Sequence, residues 1–274
     1  MSIGYFDFGG THLRGVVEDG NGKKTIYNLD DKRGDIYSAF DFVLSNHADI
    51  KSIGISFAGQ VCNNKIVSAP NIDVKDIDIA SRFEDKGVRV KIDNDLKCAA
   101  LAEAAYFDSD FTAALYVGTG IGSGYINNGV VVGGYKNIAG EIGHIPYKDV
   151  GIVCGCGKIG CLEVISSGSG LAKRLKALGF DAMSLSEIRE NPKISFLADE
   201  FVDGVAYAAS VIITLLNPKV LVLGGGIVES NDWLVDIVRK KVSDGAFKGA
   251  AEVCKIERSK LQNGSLEGAR LLAL

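Results

Sequence analysis

The spacing of apolar positions changes several times along the chain, and the changes predict a mixed α/β protein. Ile3 to Phe8 predicts a strand that Gly9-Gly10 breaks. Leu13 to Glu18 and Lys24 to Leu29 predict two more, turned at Asp19-Gly20-Asn21-Gly22. From Asp35 to Ala48 the period becomes helical, with Ile36, Phe40, Val43 and Leu44 on one side. Ser52 to Phe57 and Val88 to Ile92 are short apolar strands, and Leu96 to Phe107 is an Ala-rich helix.

The opening pattern then returns about 110 residues on. Ala113 to Val117 predicts a strand, followed by Gly118-Thr119-Gly120, a second strand and a turn at Asn127-Asn128-Gly129. Two α/β lobes built from a duplicated unit would give this repeat; two unrelated hairpins with glycine turns would look much the same. Leu197 to Leu216 predicts a helix burying one face, and Val220 to Leu223 a buried strand running into Gly224-Gly225-Gly226. Trp233 to Val242 and Leu266 to Leu274 predict closing helices.

Composition sharpens this picture. Thirty-four glycines stand against four prolines among 274 residues, a bias toward backbone that turns sharply or approaches a ligand closely. A net charge of −4 argues against a general nucleic-acid binder. Ala206 to Leu216, the longest apolar stretch, is about half the ~20 residues a membrane span needs. The N-terminus carries no basic, apolar leader, so a cytoplasmic location is expected, where clustered cysteines read as metal ligands rather than disulfides.

Such a cluster is present. His144, Cys154, Cys156 and Cys161 are interleaved with Gly155, Gly157 and Gly160; three thiolates and an imidazole satisfy a closed tetrahedral zinc site, which is structural rather than catalytic. Cys62, Cys98 and Cys254 are scattered and read as small core residues. The strand ends at Asp7-Phe8-Gly9-Gly10-Thr11, Gly118-Thr119-Gly120 and Gly224-Gly225-Gly226 are each either a tight turn or a phosphate cradle, and three in one chain favour phosphate. Asp93-Asn94-Asp95, between a strand and a helix, allows an N-cap, a carboxylate at the ligand-binding end of a strand, or both. Glu141 and Glu163 flank the cysteine loop, as surface carboxylates or as acceptors for hydroxyl groups.

Together these motifs resemble the ROK family of bacterial sugar kinases and regulators over essentially the whole chain. The resemblance is carried by Asp7-x-Gly9-Gly10-Thr11, Pro70-Asn71, Asn94-Asp95, Gly118-Thr119-Gly120-Ile121-Gly122, Glu141-x-Gly143-His144 and Cys154-x-Cys156-Gly157-x-x-Gly160-Cys161-x-Glu163. It implies an α/β fold, the two-lobed actin-like ATPase (duplicated ribonuclease H-like) fold, with the active site in the interlobe cleft. The expected lobes are 1–107, with a C-terminal helix over 265–274 packed on it, and 108–264, which holds the zinc loop 144–161. The implied activity is ATP-dependent phosphorylation of a glucose-type hexose at its primary hydroxyl, with an N-acetylated hexosamine or fructose as alternative acceptors.

Carried onto this chain, the resemblance makes Asp95 the general base. Asn71, Asn94, Glu141, His144 and Glu163 become sugar contacts. Asp7, Gly9, Gly10, Thr11, Gly118 and Thr119 hold the phosphates of ATP, with Asp7 near Mg²⁺, while Gly225 and Gly226 lie under the adenosine. His144, Cys154, Cys156 and Cys161 hold Zn²⁺. A homodimer or homotetramer is implied, with no nucleic-acid or membrane partner. The chain departs from the family pattern at His12, where Lys is usual, and at Leu96-Lys97-Cys98, where Ala-Asn-Ala is usual. A family repressor would need a DNA-binding head before Ile3, and a non-catalytic sugar binder would not need Asp95 or the phosphate loops.

Overall fold

The computed structural model describes residues 1–9, 13–28, 36–69, 75–84 and 86–274. They form two compact units. The first comprises residues 1–106, 129–139 and 261–274, and the second residues 107–128 and 140–260. Residues 129–139 thus group with the first unit, where the sequence predicts them within a contiguous 108–264 segment. The reason is chemical: Asn137 bonds to Val61, Asp93 and Lys97, all in the first unit.

The first unit contains strands β1 (Ser2–Phe8), β2 (Leu13–Glu18), β3 (Lys24–Asn28), β4 (Ile50–Phe57), β5 (Gln60–Cys62), β6 (Lys65–Ser68), β7 (Lys75–Ile77), β8 (Arg89–Asn94) and β11 (Val130–Val131). Its helices are α1 (Ile36–Asn46), α2 (Ile79–Glu84), α3 (Asp95–Tyr106) and α11 (Gly264–Ala273). The main sheet has the order β3-β2-β1-β4-β8. Its β1–β2–β3 meander is antiparallel and β1, β4 and β8 run parallel. Phe6, Phe8, Phe40, Ile55, Phe57 and Phe83 fill the core on one face of this sheet, in keeping with the near-continuous apolar runs of β1 and β4. The antiparallel β5-β6-β7 sheet was not legible in sequence, because its strands are three or four residues long.

The other face is covered by α3 and α11. Ala99, Ala100 and Ala102 on α3 and Gly268, Ala269 and Ala273 on α11 are buried, so small residues let the two helices approach closely. Arg270 pairs with both carboxylate oxygens of Glu18 at 2.8 and 3.0 Å, and Arg89 donates to the carbonyls of Ala273 and Leu274. The C-terminal half of this helix is therefore fastened to the sheet. A methyl at Gly54 on β4 would overlap the Ala269 backbone carbonyl. Gly54→Ala must push α11 away from the sheet and is expected to cost at least ~2 kcal/mol, above the middle of the usual overpacking range. Urea denaturation of the two proteins measures the difference.

The second unit contains β9 (Phe111–Val117), β10 (Ile121–Asn127), β12 (Val220–Gly224) and β13 (Lys255–Arg258). Its helices are α4 (Leu162–Ser166), α5 (Gly168–Ala177), α6 (Leu185–Glu190), α7 (Ser195–Leu216), α8 (Gly226–Glu229), α9 (Trp233–Gly245) and α10 (Lys248–Ala251). Strands β10, β9, β12 and β13 lie side by side, β10 antiparallel to β9 and the other pairs parallel. The sequential hairpin followed by parallel strands repeats the β2-β1-β4-β8 arrangement, so the sequence repeat is a structural one. Every residue of β12 is buried, as expected of a strand covered on both faces.

Candidate active site

In the first unit the predicted site residues lie at the carboxyl ends of the parallel strands. Pairing sets Arg14, Asp7, Ser56 and Asp93 in one row across β2, β1, β4 and β8, and residues directly opposite in a sheet share a face. The Ser56 hydroxyl donates to Asp7 Oδ1 at 2.7 Å. Burial raises the Asp7 pKa, an effect that Ser56 and the charge of Arg14 only partly offset. Ser56, fully buried, is a residue that sequence reasoning missed; only knowledge of the β1–β4 register exposes it.

Strand β8 runs two residues beyond its expected end, so Asn94 closes the strand and Asp95 opens α3. Asn94 caps the helix, its Oδ1 accepting from the backbone N–H of Leu96 and Lys97 at 3.0 and 3.4 Å. Its amide donates to Gly59 O at 3.1 Å and to Asp95 Oδ1 at 2.9 Å. Leu96 N–H donates to the same Asp95 oxygen. Among the described residues no hydrogen bond falls on Asp95 Oδ2. Asp95 keeps part of its surface open, yet its carboxyl lies among packed atoms. Burial first, and the charge of Asp7 second, raise its pKa from 3.8 to about 6.

The second unit gathers the other predicted residues. Gly118 and Gly226 face each other after the parallel neighbours β9 and β12, since a Cβ on Gly118 would lie 4.0 Å from Gly226 N. Gly225 adopts φ 92°, and any Cβ there would press on the Val117 carbonyl at 2.6 Å, so only glycine fits. Gly118 N–H closes its turn onto Gly120 O, and Thr119 O accepts from Ser169 N–H. The donors of that loop with no bond among the described residues include the N–H and hydroxyl of Thr119.

Beside it, His144 Nε2 lies 3.8 Å from Glu141 Oε2, and His144 Nδ1 lies 3.6 Å from Cys154 Sγ. Glu163 Oε1 is 3.5 Å from the same sulfur, and Glu163 Oε2 is 3.0 Å from where a Gly120 Cβ would stand. Asp95, Asn94, Asp7 and Gly9 thus belong to the first unit, and Glu141, His144, Glu163, Gly118, Thr119, Gly225 and Gly226 to the second. Gly10, Thr11 and Asn71 lie outside the described residues.

The donor atoms of His144, Cys154, Cys156 and Cys161 all lie within 4.8 Å of one another. A tetrahedral zinc ion with Zn–S bonds of ~2.3 Å separates sulfurs by about 3.8 Å, and Cys156 and Cys161 stand 3.6 Å apart. The residues fit the ion. Their loop is shaped by a Cys154 N–H bond to Lys158 O, by left-handed Gly157 and Gly160, and by a Pro146–Cys161 bridge. Burial first, and the neighbouring Cys156 and Cys154 sulfurs after it, push the Cys161 thiol up to about 12, so thiolates here call for a cation.

Residues 5–274 match the model of the ROK family, and the chain belongs to that family. Its fold and its named relatives make it a sugar kinase of the actin-like ATPase type. The chain is 31% identical to the N-acetyl-D-glucosamine kinase of Mannheimia succiniciproducens over 98% of each protein. It is 30% identical to a glucokinase of Halalkalibacterium halodurans over 77% of this chain and 76% of that one. The crystal structure of a ROK hexokinase from Thermus thermophilus superposes with a TM-score of 0.81 at 26% identity, covering 100% of this chain and 98% of the other. No helix among the described residues is long and apolar enough to cross a membrane.

Proposed function

We propose that the chain transfers the γ-phosphoryl group of ATP to the primary hydroxyl of a glucose-type hexose, with Asp95 as general base. The observation that carries this is the Asp95 carboxyl: one oxygen is anchored by Asn94 and Leu96, the other has no bond among the described residues, and the pKa is raised to about 6. A base poised near neutrality is ionised at working pH yet strong enough to take a hydroxyl proton. Oδ2 accepts that proton while the sugar oxygen attacks phosphorus. Asn94, Glu141, His144, Glu163 and Asn71 orient the sugar through its other hydroxyls. Gly9, Gly10, Thr11, Gly118 and Thr119 hold the phosphates, with Gly225 and Gly226 against the nucleoside. Asp7, a half-buried carboxylate, suits Mg²⁺, which would supply charge neutralisation during phosphoryl transfer. The closed Cys₃His set suits a structural Zn²⁺ that keeps Glu141, His144 and Glu163 in register. A homodimer or homotetramer is part of the same reading.

An N-acetylated hexosamine is the second reading, favoured by the kinase relative matched over 98% of both chains. Coupled ADP release over glucose, fructose, mannose, N-acetylglucosamine and N-acetylmannosamine tests both. Sugar-dependent ADP release is expected, fastest with glucose; a maximum with an N-acetyl sugar selects the second reading, and release indifferent to every sugar overturns the kinase.

The pH profile is a further expected outcome. The base works ionised, and its folded-state pKa is raised to about 6. Activity is therefore full above that value and lost below it, with log(kcat/KM) falling about one unit per pH unit on the acid side. A profile flat down to pH ~4.5 would mean that the working carboxylate titrates like an unperturbed aspartate, near 3.9, and would overturn the raised pKa.

A further inference from the structure

We propose that Lys97 and Asn137 are positioning residues that fix the β8–α3 junction from which Asn94 and Asp95 project. Lys97 is almost completely buried, a costly place for an ammonium group unless it is bonded. It donates to the main-chain oxygen of Asn137 and, at 3.0 Å, to Asn137 Oδ1. The Asn137 amide in turn donates to Asp93 Oδ1 at 2.9 Å and to Val61 O at 3.1 Å. The same Asp93 oxygen accepts Asn94 N–H at 2.8 Å, and the Asn94 side chain reaches Asp95 Oδ1. An unbroken series of hydrogen bonds therefore runs from a buried cation to the carboxylate read as the base.

The backbone indicates that this arrangement is imposed. Lys136 and Asn137 both have left-handed φ, 64° and 57°, and consecutive non-glycine residues hold that conformation only where the surroundings over-determine it. A Cβ on Gly133 would strike Asn137 Oδ1, so a glycine makes room for the side chain that bridges. The amide orientation follows from its partners, oxygen toward the ammonium and nitrogen toward the carboxylate. A lysine that merely filled space would be replaceable by methionine; this one delivers its charge to the residue that holds Asp93. Lys97 is also one of the positions where the chain departs from the family pattern.

The inference rests on Asp95 being the base, and the experiment separates the two. Asn137→Gly tolerates the left-handed backbone and keeps the main-chain acceptor for Lys97 while removing the link to Asp93. Its kcat is expected to fall at least ~10-fold with KM for ATP within about twofold, since small misplacements of a reacting group cost up to about 100-fold. Its metal content should match wild type, and it should remain folded at the assay temperature. Asn137→Asp keeps the partner for Lys97 but sets a carboxylate against Asp93, so it should be slower than Asn137→Gly. Lys97→Met should lose kcat in the same way, and Lys97→Arg should recover part of it. Asn137→Gly with kcat within about twofold of wild type, a loss confined to KM for ATP, or Asn137→Asp faster than Asn137→Gly overturns the positioning role. Asp95→Asn run alongside keeps the readings apart: if it retains turnover the base assignment fails, and if it is inactive while Asn137→Gly is normal only the positioning inference fails.

Discussion

Asp95→Asn is expected to lower kcat by ~10²–10⁴-fold, the usual worth of general-base assistance, while the protein stays folded and binds ATP with little change. The substitution is close to isosteric. Asparagine keeps an oxygen for Leu96 N–H and for the Asn94 amide, the two bonds that anchor Asp95, so geometry survives and only proton acceptance is lost. The same change carries a stability signature of opposite sign. The Asp95 pKa is raised from 3.8 to about 6 in the folded chain, so the folded state favours the protonated form. Stability linked to this group is full below 3.8, lost as pH rises through about 6, and absent above it. Asp95→Asn should therefore be more stable than wild type at neutral pH, by at most about 2–3 kcal/mol, and should lack that pH dependence. A variant that is slower, better folded at pH 7.5 and missing this group's own loss of stability between pH 4 and 7 fits a carboxylate kept ionised for chemistry at the expense of the fold. Steady-state kinetics and urea midpoints across that range test both halves, and near-normal turnover removes Asp95 from the mechanism.

Why Asp95 was visible in sequence and its supports were not has a physical basis. Strand ends, helix starts and glycine turns are local, so Asn94-Asp95 and Gly118-Thr119-Gly120 stand out in a linear reading. The cysteine loop is local too: His144 to Cys161 spans a short segment whose spacing limits where the donors can go. Ser56 and Asn137 act across 49 and 44 residues, on Asp7 and Asp93 respectively. Strand register decides the first contact and a left-handed turn the second, and neither leaves a periodic trace. Lys97 illustrates the limit most clearly. The sequence sets a cation two positions from Asp95, yet its recorded bonds go to Asn137, a residue that hydrophobic patterning treats as loop. The repeated hairpin was legible because apolar alternation and glycine turns recur in both copies. The β5-β6-β7 sheet and helices α5 and α6 were not, being short or weakly patterned.

Cys156→Ser should have the second large effect, and it isolates the metal from the packing. Cys154 and Cys161 are buried, so replacing either disturbs the apolar cluster they form with Val164; Cys156 is exposed, and serine in its place changes one ligand atom. Three donors hold zinc far less tightly than four, and apparent zinc binding energies of ~10–16 kcal/mol in small domains show how much folding such an ion can supply. Metal content is expected to fall from about one zinc per chain to less than about a tenth of that on dialysis. Without the ion the loop between Tyr147 and Gly160 keeps its hydrogen bonds but loses the cross-link that joins its donors, while His144 loses what holds Nδ1 and with it the orientation of Nε2 toward Glu141. The kinetic loss should fall on the sugar: KM for sugar rising at least ~10-fold, with KM for ATP nearly unchanged. Chelation of the wild-type protein under mildly destabilising conditions should reproduce the variant, and added zinc should restore the wild type alone. A wild-type protein that contains no metal and behaves identically to Cys156→Ser would refute the zinc assignment and leave the Asp95 chemistry untouched, because that carboxylate is bonded by Asn94, Leu96 and its own backbone rather than by the cysteine loop.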